Sequence, residues 1–197
     1  VVNGQEIRRN YSLSAAANGV DYRISVKREP GGVASGFLHD HVQEGDLLDI
    51  FPPAGDFVLA EGDKPLVLIS GGVGITPTLA MLDAALKSHR PVHFIHFARN
   101  RSVHAFRAAI EARQARHSQL QRFYVYDEHG NDVEAPHAIG LLSNAALADC
   151  LPASRDVDAY FLGPKPFMRR IKKQLNELGV PQAQTRYEFF GPASALD

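Results

Sequence analysis

Arg9-Asn10-Tyr11-Ser12 combines a cation, a phenol and a small hydroxyl at alternating positions of a short segment. On an extended backbone, successive side chains point to opposite faces, so Arg9 and Tyr11 share one side. That set suits a ligand with a pyrophosphate and a flat ring system, such as a flavin dinucleotide. The guanidinium meets the phosphates, the phenol packs along the ring, and Ser12 offers a hydrogen bond to its reactive edge. An ordinary surface strand is the alternative reading of the same four residues.

A second chemistry-bearing segment is Gly71-Gly72-Val73-Gly74-Ile75-Thr76-Pro77, which follows an apolar strand and opens a helix. Glycines let backbone turn tightly and approach a phosphate without Cβ interference. Thr76 is expected to cap the helix and Pro77 to sit in its first turn. Free N–H groups and the helix dipole there favour an anion. The segment is neither a GxGxxG fingerprint nor a P-loop, and a plain strand-to-helix turn remains the alternative.

Lys27-Arg28-Glu29-Pro30-Gly31-Gly32-Val33-Ala34-Ser35 offers another anion site, with two glycines before a helix that Ser35 is expected to cap, or else an exposed hairpin turn. Gly163-Pro164 follows the apolar strand Asp158–Leu162, again at a strand's carboxyl end. Tyr187-Glu188-Phe189-Phe190-Gly191-Pro192 closes the last strand. Alternation sends Tyr187 and Phe189 to one face and Glu188 and Phe190 to the other. A glutamate beside an aromatic at a strand end suits a cofactor edge better than a core, and an edge strand with one solvated acid is the alternative reading. Arg99 and Arg101, just past the second strand, could meet an adenosine ribose or its phosphate, or simply be solvated. The nine histidines show no metal-ligand spacing. His93 and His96 are expected on opposite faces of a strand, and no metal site is expected. There is no GxSxG element for a serine nucleophile.

Elements that position these residues fall into two rhythms. From Val1 to about residue 62, short β-like runs (Tyr22–Val26, Leu47–Phe51 and Phe57–Leu59) alternate with turn residues. A short helix is expected over Ser35–Val42. This reads as part of an antiparallel barrel with too few strands to close, which leaves an exposed edge. From residue 63 to 197 apolar strands alternate with amphipathic helices. Strands are expected at Leu66–Ser70, Val92–Ala98, Arg122–Tyr126, Asp158–Leu162 and Thr185–Phe190. Helices are expected at Pro77–Lys87, Val103–Arg116, Ser143–Cys150 and Lys165–Leu178. The alternation points to a Rossmann-like parallel sheet covered on both faces, with Glu61–Pro65 as the hinge. Ligands of such sheets bind at strand carboxyl ends, near the reversal of strand order.

Composition excludes several classes. The 45% hydrophobic and 22% charged fractions are those of a globular protein rather than a disordered one. A formal net charge of −1 gives no electrostatic case for nucleic acid. Apolar runs such as Pro65–Gly74 are far too short to cross a bilayer. A single cysteine, Cys150, precludes a disulfide framework within the chain and fits a reducing cytoplasm. The first residue is Val1, and the expectation is a piece of a longer protein.

Taken in order, these segments resemble the ferredoxin–NADP reductase superfamily. Within it they are most similar to the C-terminal reductase region of flavohemoglobins, which are nitric oxide dioxygenases. Besides the segments above, Tyr22–Glu29, Pro53-Ala54-Gly55-Asp56-Phe57 and Val103-His104-Ala105-Phe106 carry the resemblance. It implies an FAD-binding barrel over residues 1–62 and an NAD(P)-binding domain over 63–197. Arg9 would lie on the FAD pyrophosphate, with Asn10 beside it, Tyr11 along the isoalloxazine and Ser12 near N5. Gly32, Val33, Ala34 and Ser35 would support the pyrophosphate. Gly72, Val73, Gly74, Ile75, Thr76 and Pro77 would hold the NAD(P)H phosphates, and Gly163 and Pro164 would border the nicotinamide. Phe190 would cover the isoalloxazine until nicotinamide displaces it, flanked by Phe189, Gly191 and Pro192, with Glu188 adjusting the redox potential. The implied reaction is hydride transfer from nicotinamide to FAD, then single electrons to a haem in a globin domain in cis. No side-chain general acid or base is required.

Two departures stand out. Many relatives have cysteine where this chain has Leu162. The family's barrel also begins several tens of residues earlier, so its first strands and the globin domain are expected to be missing. Alternatives are a stand-alone flavin or oxygenase reductase, a reductase serving a separate redox partner, or a nucleotide-binding fragment without activity.

Overall fold

The computed structural model describes residue 2 and residues 4–128 and 135–190. Six strands form one parallel sheet: β1 (Leu66–Gly71), β2 (Val92–Ala98), β3 (Leu120–Tyr126), β4 (Ala138–Ile139), β5 (Asp158–Leu162) and β6 (Thr185–Tyr187). Among the described residues five α-helices accompany them: α1 (Val33–Asp40), α2 (Ile75–Ala85), α3 (Arg107–Gln114), α4 (Asn144–Asp149) and α5 (Lys165–Glu177).

The sheet follows from the sequence of its central strands. Every residue of β1 and of β5 is buried, because helices cover both faces and a parallel strand there has no solvent side. Leu66 and Leu68 of β1 join one apolar cluster with Leu79 and Leu82 of α2 and Ile110 of α3. Val67 and Ile69 join a second with Leu147 of α4 and Met168, Ile171 and Leu175 of α5. Two cores therefore flank one sheet. α5 shows why a helix lies flat there: Met168, Ile171 and Leu175 recur at three- and four-residue spacing, while Arg169 and Lys173 take the exposed side.

Strand order is β4-β3-β2-β1-β5-β6. The chain builds outward from β1 on one side, then returns to build on the other. The reversal falls between β1 and β5, which places the open crevice at their carboxyl ends.

Several boundaries depart from the sequence reading. The expected helix Val103–Arg116 is split into a 3-10 turn over Arg101–Val103 and α3, because Phe106 stands at φ 61°, in the left-handed region no helix continues through. β4 was not anticipated; it is two residues long and carries no periodicity. β6 stops at Tyr187 rather than Phe190. α2 begins at Ile75, with Gly74 rather than Thr76 as its N-cap; Thr76 lies inside the first turn and donates to the Val73 carbonyl at 3.2 Å. α1 begins two residues earlier than expected, with extended Gly32 as its N-cap. Ser35 does not cap it: its Oγ accepts the Glu29 N–H at 3.2 Å and donates to the Gly32 carbonyl at 3.2 Å, closing the preceding turn.

The largest departure lies before residue 62. None of Tyr22–Val26, Leu47–Phe51 and Phe57–Leu59 forms a ladder among the described residues; an isolated antiparallel bridge joins Leu13 to Ile24. Alternation tells which face a side chain takes, but a strand exists only where another backbone supplies hydrogen bonds. Leu47, Ile50 and Phe51 are accordingly 98%, 69% and 72% exposed. Contact with the sheet is made by Phe57 and Leu59, which pack on the first core cluster, and by the Ala60 N–H, which donates to Tyr160 Oη at 2.8 Å. No helix among the described residues is long and apolar enough to cross a membrane.

Candidate nucleotide-binding crevice

The crevice at the reversal is built by glycine. Gly72 sits at φ 55°, a conformation open to glycine at little cost, and turns the chain from β1 into α2. Gly74 brings that turn hard against β5. A Cβ there would collide with the Leu162 carbonyl oxygen and lie 2.7 Å from its carbon and 3.1 Å from the Gly163 nitrogen. Gly71 and Gly163 admit the Phe167 ring from the first turn of α5: Cβ atoms on them would stand 3.2 Å and 2.5 Å from ring carbons. The ends of β1 and β5 and the starts of α2 and α5 thus meet with backbone packed closely where side chains would otherwise stand.

Gly72 is exposed and Val73 half-buried, so this part of the turn faces solvent. Gly74, Ile75, Thr76 and Pro77 are buried and shape the turn from beneath. α2 spans 11 residues, and the positive end of its dipole points into the crevice. Gly163 is half-buried and Pro164 exposed on the opposite lip. This arrangement can hold an anionic group between a helix N-terminus and a second strand end.

At the sheet edge, Tyr187 packs against Phe161 with centroids 5.2 Å apart, and Phe189 stands edge-on to Tyr187 at 5.8 Å. Lys165 Nζ lies 5.9 Å from the Phe189 ring centre. Phe190 is 41% exposed, while Gly191 and Pro192 fall outside the described residues. Glu188 is half-buried, and that burial pushes its carboxyl pKa up. A Cβ on Gly55 would stand 4.0 Å from Glu188 Oε1, so the glutamate reaches the Pro53–Phe57 segment of the other half.

The remaining expected site residues lie on the chain before residue 62. Arg9 and Asn10 are exposed and Tyr11 and Ser12 half-buried; the Arg9 guanidinium donates to the Arg8 carbonyl at 2.7 Å. A cavity of about 610 Å³ opens at the start of α1, lined by Gly32, Val33, Gly36, Phe37, Asp40 and His41 together with Val2. Arg9 to Ser12 are not among its lining residues. Ala34 is half-buried and Ser35 buried behind that cavity's wall. Arg28, the cation nearest in sequence, is held by a two-pronged contact with Asp40, its NH2 group 2.8 Å from Oδ2.

Sequence reasoning missed a buried polar cluster beneath the crevice. Ser70, His96 and Tyr124 stand abreast in register on β1, β2 and β3. Ser70 Oγ and His96 Nδ1 are 2.8 Å apart, and His104 Nδ1 and Tyr126 Oη are also 2.8 Å apart. The two imidazoles pack at a tilt of 36° with centroids 4.4 Å apart. Burial, with Arg107 and Arg122 nearby, lowers the His104 pKa to about 4; burial likewise carries His96 well below its usual value, so both rings are neutral near pH 7. The available signal was a serine and a histidine at matching positions of otherwise apolar strands.

Residues 68–173 match the oxidoreductase NAD-binding domain family. The chain is 65% identical over 197 residues to a flavohemoprotein of Burkholderia sp. (strain TH2), covering all of this chain and 50% of that one. It thus spans about half the length of the curated relatives it matches. Among solved structures, the flavohem-like FAD/NAD binding domain of nitric oxide dioxygenase from Vibrio cholerae superposes with a TM-score of 0.86 at 38% identity, covering 98% of this chain and 82% of that one. A cytochrome P450 reductase of Amycolatopsis superposes with a TM-score of 0.82 at 28% identity, covering 98% and 60%.

Proposed function

This chain belongs to the flavohemoprotein family, as its FAD/NAD-binding reductase region, and from that premise we propose that it works as an FAD-dependent NAD(P)H oxidoreductase in a nitric oxide dioxygenase. The observation that carries the reading is the glycine-walled crevice at the strand-order reversal. Its close approach of Gly74 to Leu162 makes a backbone-lined seat between two strand ends.

When bound, NAD(P)H supplies a hydride and FAD accepts it, so the difficult chemistry belongs to the cofactors. The protein's part is to bind, orient and exclude water. Gly72 and Val73 present backbone at the mouth of α2, where the helix dipole favours the dinucleotide phosphates. Gly163 and Pro164 border the nicotinamide, keeping side chains out of the space a flat ring needs. Phe190, 41% exposed, would cover the flavin ring and would move aside for the nicotinamide. Glu188, with its raised pKa, adds a group near that edge whose charge tunes the potential. Arg9, Asn10, Tyr11 and Ser12, with Gly32 to Ser35, form the flavin grip. Electrons would then pass to a haem globin domain in cis, and the single cysteine fits a cytoplasmic location.

A second reading, a chain that binds NAD(P)H yet retains no FAD, is favoured by the exposed Leu47, Ile50 and Phe51 and by the absence of a ladder before residue 62 among the described residues. An incomplete barrel wall gives the flavin grip little support. On the second reading the purified chain binds NADH or NADPH in calorimetry and loses the visible flavin absorbance on dialysis after incubation with FAD; on the first it keeps that absorbance. Dialysis-resistant, stoichiometric FAD that NADH bleaches anaerobically would show the chain to be a complete reductase. Failure to bind either nicotinamide dinucleotide would refute both readings.

A further inference from the structure

The segment 99–106 leaves β2, runs over the sheet's carboxyl end and enters α3. It is pinned at two places. Asn100 accepts from the Ser102 N–H at 3.1 Å and hydroxyl at 2.7 Å, while its Nδ2 donates to Glu128 Oε1 at 2.8 Å. His104 turns inward to 6% exposure and meets Tyr126 of β3. Two residues later Phe106 is the one non-glycine residue at positive φ among the described residues. Such a conformation costs free energy and persists where its surroundings enforce it.

The inward face of this pin is unexpectedly polar. His104 lies between His96 and Tyr124, with ring centroids 4.4 Å from each. His104 Nε2 and Tyr124 Oη are buried with no hydrogen-bond partner. Leaving such groups unpaired is unfavourable, and an apolar stack would close the sheet at lower cost. The imidazole–phenol contact therefore does something packing alone does not require: it fixes one loop against one strand with directional geometry.

The position of that loop gives the contact a purpose. A dinucleotide seated at the β1–β5 reversal with its nicotinamide towards Gly163 must run its other half over the ends of β1, β2 and β3. Arg99 and Arg101 stand on this loop. We infer that His104 and Tyr126 are positioning residues: their hydrogen bond holds the loop 99–106 as the wall of the crevice that receives the adenosine half of NAD(P)H. This rests on the nucleotide-binding reading of the crevice.

The test uses the full chain and two probes in calorimetry, NADH and ADP-ribose; the second carries the adenosine half without nicotinamide. Tyr126→Phe removes one hydroxyl and is expected to weaken both probes roughly five- to tenfold, as His104→Ala does, in line with one lost buried hydrogen bond. The double variant is no weaker than the worse single one, because both remove the same contact. His104→Asn, whose amide can take the place of Nδ1, restores most of the affinity. Leu147→Ala, on the opposite face of the sheet, lowers the melting temperature but leaves both dissociation constants unchanged. Unchanged affinity for ADP-ribose in Tyr126→Phe and His104→Ala, with NADH still bound by the wild type, would overturn the inference and leave the crevice reading intact. Additive losses, failure of His104→Asn to restore binding, or an equal loss in Leu147→Ala would also overturn it. A wild-type chain that binds neither probe overturns the crevice reading itself, and the inference with it.

Discussion

Gly74→Ala is expected to raise the dissociation constant for NADH at least about tenfold and to destabilise the fold by about 1–3 kcal/mol, the usual cost of overpacking. The added methyl would strike the Leu162 carbonyl group and the Gly163 nitrogen, both backbone, so no rotamer change relieves it. Either the β1–α2 turn or the end of β5 must move, and each forms one lip of the crevice. Gly163→Ala provides the comparison. Its methyl meets a Phe167 ring carbon at 2.5 Å, and a ring can turn aside, so the smaller loss is expected there. Calorimetry with NADH and a thermal melt on each variant measure both effects. A Gly74→Ala chain with wild-type affinity would show that the close approach of the two strand ends does not shape the ligand seat.

The largest effect on stability is expected at Asp158, far from the crevice. Arg90 and Asp158 form an ion pair with side chains 4% and 8% exposed. Arg90 also donates to the carbonyl groups of Lys64 and of Ala60, the latter at 3.1 Å, and Arg186 reaches Asp158 Oδ1 at 2.9 Å. One carboxylate thus ties together β5, β6 and the segment that enters β1. Asp158→Ala strands a buried guanidinium, and a pair broken this way costs about 3–5 kcal/mol. Urea unfolding should show it, with a midpoint shift far beyond that of Asp156→Ala. Asp156 pairs with Lys64 in solvent, where ion pairs contribute little. Equal midpoints for the two variants would contradict the weight given to burial.

How far the sequence discloses this molecule depends on what each element requires. β1, β2 and β5 are legible because strands buried on both faces read as mostly apolar runs. α5 is legible because its buried residues recur at helical spacing. The start of α3 is not, since nothing in Val103–Phe106 announces that a phenylalanine will take a left-handed backbone. Before residue 62, alternating residues mark which side of a strand faces inward but say nothing about whether a partner strand is there to pair. In the crevice, the glycine turn is legible from its place between strand and helix. Thr76 looks like a cap and is instead a buried residue of the first turn, because Gly74 already occupies the junction. The His96–His104 pair escapes a reading that tests histidines only for metal spacing; strand register, which aligns Ser70, His96 and Tyr124, is what brings it together.

On the proposed function the β1–β5 reversal receives the dinucleotide. Titrating the isotopically labelled chain with NADH and following its backbone amides by NMR tests this most directly. The largest shifts are expected at Gly72, Val73 and Gly74 and at Gly163, with weaker ones along 99–106 and little change in the middle of α5. Shifts confined to α5 and β6, or to the cavity beside α1, or no shifts at saturating NADH, would contradict it.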